Sequence, residues 1–139
     1  MKGQTAIEYL LLFSLMLIAL SFLTYYAQDM TQRNREEIIM SNAVIAVNKI
    51  VEAADIVYTQ GKPSQITLSI YIPENVHLIE FSNKMIIMRI DVSSGSTDII
   101  AESKAILKNS TGGIYFPSTG GTKRIKVKAE GSYVNVTES

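Results

Sequence analysis

The longest pattern in the chain is an apolar run from Tyr9 to Tyr26, broken by hydroxyls at Ser14, Ser21 and Thr24 but by no charge. Past it, Gln28 to Glu37 is strongly polar and holds Arg33, Arg35, Glu36 and Glu37. Helical period then returns. Ile39, Ala43, Ala46, Ile50, Ala53 and Val57 recur at alternating spacings of four and three, and Met40, Val44, Val47, Val51 and Ala54 form a stripe beside them. Ser41, Asn48, Glu52 and Asp55 fall on the other side. That is a wide apolar face on an amphipathic helix. Gln4 to Thr59 contains no proline, and Gln60-Gly61-Lys62-Pro63 supplies the stop, with glycine for a left-handed cap and proline just beyond. The pattern predicts one helix over 4–60, about 80 Å long at 1.5 Å per residue. Ordinary globular helices are far shorter.

After Pro63 the period becomes two. Ile66, Leu68, Ile70 and Ile72 alternate with Gln65, Thr67, Ser69 and Tyr71, as in a half-buried strand. Pro73-Glu74-Asn75 turns the chain into a second strand from Val76 to Phe81, and Ser82-Asn83-Lys84 turns it into a third from Met85 to Val92. Further strands are predicted over Thr97 to Lys108 (one longer or bent strand), Ile114 to Phe116, Thr122 to Ala129 and Tyr133 to Thr137. The predicted fold class is α+β. One long N-terminal helix, half transmembrane and half amphipathic, packs on a small antiparallel β-sheet or sandwich domain over 64–139. The face from Ile39 to Val57 covers one side of the sheet.

The 139 residues carry no net charge, so no bulk electrostatic preference for nucleic acid or an acidic partner follows. There is no cysteine, which excludes disulfides, a thiol nucleophile and cysteine-ligated metals. His77 is the single histidine, and it has no second histidine or cysteine to complete a metal set. Asp91 and Asp98 flank a Ser/Gly loop, where charged hairpin ends are commoner than cation sites. No glycine-rich loop joins a strand to a helix start, so no phosphate cradle is expected. The expectation is a protein that is not an enzyme, with no cofactor, no metal and no small-molecule substrate. Lys123, Arg124, Lys126 and Lys128 form a basic stripe. It reads first as an edge strand kept from pairing with other chains by its lysines. It reads second as a polyanion-binding surface, disfavoured because no aromatic platform interleaves with the cations. Asn109-Ser110-Thr111 and Asn135-Val136-Thr137 are candidate N-glycosylation sequons, the first in a predicted loop and the second in a strand.

The apolar run, about 9–26, spans about 27 Å, close to the roughly 30 Å of bilayer hydrocarbon. Tyr25 and Tyr26 suit the far interface, and Lys2 at the near end places Met1 on the cytoplasmic side. No small-residue cleavage site follows the run, so it is expected to be retained. Between Lys2 and Asp29 the one charged residue is Glu8. A carboxylate at the bilayer centre costs roughly 2.5–3.5 kcal/mol, and an ionisable group inside a membrane is a functional hypothesis by default.

Lys2-Gly3-Gln4-x-x-x-Glu8-Tyr9 followed at once by the apolar run resembles the class III signal peptide of type IV pilins, in particular the archaeal type. The resemblance implies a leader over 1–3 and cleavage between Gly3 and Gln4 by a membrane-embedded prepilin peptidase. Gln4 then becomes the mature first residue, and Glu8 takes the family's glutamate position. It further implies assembly in which Glu8 of one subunit meets the new Gln4 amine of a neighbour. The filament core would be built by Leu10, Leu11, Leu12, Phe13, Leu15, Leu17, Ile18, Leu20, Phe22 and Leu23. The implied partners are further copies of the chain in a helical homopolymer, the membrane before assembly, the peptidase, an assembly ATPase and a platform protein. The implied location is the cell membrane for the precursor and an extracellular pilus for the product, with a role in surface attachment. The alternatives are a minor pilin-like subunit, a surface binding protein bearing the same signal, and a plain single-pass protein with an extracellular β-domain.

Overall fold

The computed structural model of the chain describes residues 2–109 and 120–139. The strand expected over Ile114 to Phe116 lies outside the described residues. One helix, α1, runs from Lys2 to Gln60. It begins two residues before the expected Gln4, because nothing in Lys2-Gly3 forbids helical backbone. It stops as expected. Gly61 takes a φ of 73°, and its N–H donates to the Val57 carbonyl at 3.0 Å, closing the last turn.

Seven strands follow: β1 Gln65–Ile72, β2 Val76–Ser82, β3 Met85–Val92, β4 Gly95–Glu102, β5 Leu107–Lys108, β6 Gly121–Ala129 and β7 Val134–Glu138. They form two sheets, one ordered β1-β6-β7-β5 and one ordered β2-β3-β4. All pairs are antiparallel except β5 with β7, which is parallel, so the first sheet is mixed and not wholly antiparallel as expected. The Leu107 N–H donates to the Asn83 carbonyl at 2.6 Å, tying β5 to the β2–β3 turn. Asn83 reaches that turn with a φ of 58°, a conformation asparagine tolerates.

The chain separates into two compact units, Met1–Glu37 and Ile38–Ser139. In the second, one core joins the helix to the inner faces of both sheets. Ala43, Ala46, Val47, Ile50, Ala54 and Val57 meet Ile70, Ile79, Ile86, Met88, Ile90, Ile125, Val127, Val134 and Val136, all fully buried. The expected second stripe is only partly used. Val47 and Ala54 are buried, Val51 is half-buried, and Met40 and Val44 stay exposed on the flank of the helix.

The strand expected over Thr97 to Lys108 breaks at Ser103. Asp55, expected on the solvent side, explains the break. Its Oδ1 accepts from Ser103 Oγ at 2.6 Å and from the Lys104 N–H at 2.9 Å, while Ser103 Oγ accepts from the Ala105 N–H at 3.1 Å. The helix thus holds the chain out of strand conformation between β4 and β5.

The basic stripe is corrected too. β6 lies inside its sheet, between β1 and β7, so its lysines do not protect an edge. Lys123 points to the core side beside Glu138, 3.4 Å from Nζ to Oε1, whereas Arg124, Lys126 and Lys128 alternate with buried Ile125, Val127 and Ala129 and face out.

Candidate processing and assembly site

Gly3 and Gln4 sit in the first turn of α1, where backbone N–H groups have no intrahelical acceptor. Helix ends fray and glycine adds backbone freedom, so the Gly3–Gln4 bond lies where the helix is easiest to unwind. A Cβ added at Gly3 would meet nothing within 4 Å, so the glycine is not required by packing in this conformation.

Gln4 and Glu8 are four residues apart on one helix, hence on one face. Glu8 is exposed, and no ion pair reaches it among the described residues. The hydroxyls of the apolar run behave differently. Ser14 donates to the Leu11 carbonyl, Ser21 to Leu17 and Thr24 to Leu20, each at 2.8 Å. These bonds satisfy the side chains within the helix, which is what a lipid-facing segment needs. The ten predicted core residues, Leu10, Leu11, Leu12, Phe13, Leu15, Leu17, Ile18, Leu20, Phe22 and Leu23, are between 48% and 73% exposed. A helix whose large apolar side chains all face outward must be covered by lipid or protein. This one is long and apolar enough to cross a membrane.

Residues 2–26 match the family model described as class III signal peptide. The chain carries a class III signal peptide at its N-terminus, the signal that type IV pilin-like precursors bear. No curated protein and no solved structure matches it. A class III signal implies processing by prepilin peptidase and pilus assembly in general, and with the apolar helix it describes a membrane-anchored precursor of a pilin-like surface protein.

The other predicted positions lie in the β unit. Asn109 follows β5 and Asn135 is in β7. Both are half-buried and each already engages a neighbour. Ser110 and Thr111 of the first sequon lie outside the described residues. His77 is exposed beside a bulge of β2, its Nε2 2.5 Å from Asp91 Oδ2, and Ser96 Oγ donates to Asp91 Oδ1 at 2.7 Å. Asp98 takes two hydrogen bonds from Arg89, 2.7 Å from Nε and 2.8 Å from Nη2. Asp91 and Asp98 therefore serve separate partners and not a shared cation. Ser96 and then His77 hold the Asp91 carboxyl below its usual range, and Arg89 does the same for Asp98. Among the described residues no group of three or more His, Cys, Asp or Glu could hold a metal.

Asp55 is the structural residue that the pattern missed. Its acidic type on a flank of the apolar face looked solvated, and its partners are 48 and 49 residues away.

Proposed function

We propose that this chain is the structural subunit of an extracellular type IV-like pilus with a role in surface attachment. It is made as a membrane-anchored precursor, cut between Gly3 and Gln4, and polymerised through 9–26. The observation that carries this reading is a class III signal whose every large apolar side chain is exposed and whose one carboxylate, Glu8, has no ion-pair partner among the described residues. In lipid the apolar side chains are covered. In a filament neighbouring copies cover them, and burial of each large side chain contributes about 1.5–3 kcal/mol. Cutting after Gly3 frees an α-amine on Gln4, one helical turn from Glu8. A neighbour's amine then meets the carboxylate, and pairing offsets the desolvation of both charges. Each copy presents one surface and receives a different one, a heterologous contact that does not close and so yields a filament. The chain has no catalytic role in this scheme. An ATPase and a platform protein supply the work.

Mass spectrometry of the N-terminus of extracellular filaments tests the proposal. The expected mature chain starts at Gln4, as the free amine or its cyclised form. A chain that still starts at Met1 in cells with an active prepilin peptidase overturns it.

A further inference from the structure

The outer faces of the two sheets carry opposite charge. On the first sheet, Arg124, Lys126 and Lys128 of β6 face out, and Lys108 of β5 joins them because it pairs with Asn135, the residue opposite Lys128. The neighbours on that face are neutral: Gln65, Thr67, Ser69 and Tyr71 of β1, with Thr137 of β7. Glu130, just past the end of β6, balances one of the cations through Lys128 at 2.8 Å, and it also meets Lys62 at 3.5 Å. The second sheet reverses the sign. Buried Ile86, Met88 and Ile90 define its inner side, so Glu80, Asp91, Asp98 and Glu102 face out against one guanidinium, Arg89. Lys84 stands at one end in the β2–β3 turn. Among these acids stand Met85, 41% exposed, and Ile100, 59% exposed, while Tyr71 on the basic face is 51% exposed. The undescribed segment 110–119 carries no charged residue in its sequence, so it changes neither sign.

We propose that the basic outer face of β1-β6-β7-β5 on one copy docks on the acidic outer face of β2-β3-β4 on the next copy. The two surfaces of one chain complement one another in sign, and each has an exposed apolar or aromatic group at hand to seat the contact. The occupant is a second copy because the matching surface belongs to this chain itself. The contact joins unlike faces, so it propagates and does not close into a dimer. Its size sets its place. Three strands of about eight residues cover about 15 Å by 25 Å, well under the roughly 800 Å² per partner of a stable complex. It therefore orders β units already brought together by their helices. In this respect it rests on the polymer reading above.

The absence of cysteine permits a direct test on the full-length chain in membrane vesicles. Thr67→Cys lies on the basic face and Ile100→Cys on the acidic face, and both leave the charges intact. Oxidation traps transient encounters, so a weak contact still registers. The double variant should give a ladder of covalent oligomers. The ladder should fade several-fold as salt rises, since the Debye length falls from about 30 Å at 0.01 M to about 3 Å at 1 M. Adding Arg124→Glu with Lys126→Glu should abolish it, and adding Glu80→Lys with Glu102→Lys as well should restore part of it. No ladder from the double variant overturns the proposal, as do dimers from Thr67→Cys alone, which would mean that like faces meet. Lys126-dependent retention on dextran sulfate without a ladder also overturns it, in favour of an anionic polymer as the occupant. A ladder from a chain that is never cut and never forms filaments would sink the polymer reading while leaving this contact standing.

Discussion

Replacing Asp55 with alanine removes the acceptor that holds the chain between β4 and β5. Two donors are stranded. One belongs to Ser103, which is 3% exposed, and the other is the Lys104 N–H beside it. A hydrogen bond to a charged group contributes roughly 1.5–3 kcal/mol, and a buried donor left without a partner costs about 1–3 kcal/mol. Lys104 is exposed, so water replaces part of its loss, and the sum falls to about 2–4 kcal/mol. Domains of this size have about 5–15 kcal/mol in all. Asp55→Asn keeps an oxygen in place and should cost only about 1 kcal/mol by the same reasoning. The assay is urea unfolding of the full-length chain in detergent, read by amide hydrogen exchange so that the solubilised helix does not mask the β unit. With m near 1–3 kcal/mol/M, the alanine variant should move the midpoint down by on the order of 1–2 M. Exchange should rise first between Ser103 and Leu107. An alanine midpoint within about 0.3 M of wild type, or an asparagine variant as unstable as the alanine one, would show that Asp55 does not hold this bend.

Two further outcomes concern other charged residues. Glu8→Ala should leave cleavage intact but cut filament yield sharply, because breaking one partner of a buried ion pair costs roughly 3–5 kcal/mol; wild-type yield would remove Glu8 from assembly. Acid should destabilise the β unit. Asp91, Asp98 and Glu130 are held below their usual ranges by Ser96 and His77, by Arg89, and by Lys128, so each adds stability above its unfolded value and loses it as pH falls through the folded one. Stability should be level above about pH 5 and fall below about pH 4, with Asp98→Asn flattening part of that fall; an unchanged profile in that variant would contradict the assignment.

Much of this architecture was legible as period. The stop at Gly61, the strand from Met85 to Val92 and the buried row Ala43, Ala46, Ile50, Val57 follow from local spacing, because burial on one face imposes its repeat on the chain. What was not legible depended on residues far apart. Spacing reveals that Lys126 and Lys128 share a face, but not that β6 lies between β1 and β7, and that topology is what removes edge protection as their purpose. Likewise, Thr97 to Lys108 has the composition of one strand, and it is a carboxylate from the helix that breaks it. The class III signal was legible for a different reason: its residues are consecutive in sequence and need no folding to bring them together.

The hydroxyl bonds of α1 give Glu8 its weight within the proposed polymer. A helix covered in leucine, isoleucine and phenylalanine is attracted to its copies without direction, since burial of apolar surface rewards many registers almost equally. Ser14, Ser21 and Thr24 do not choose among them, because each hydroxyl already donates to its own helix. Glu8 is therefore the group along the run that a wrong register penalises. Slid by one turn, about 5.4 Å, it loses its amine and remains a desolvated carboxylate. The apolar residues then supply most of the adhesion and the single charge supplies the register, as one polar residue does in the seam of a coiled coil. On this argument a Glu8→Gln filament, where it forms at all, should be disordered in helical symmetry and not merely weaker, and a well-ordered Glu8→Gln filament with wild-type symmetry would show that register is set elsewhere.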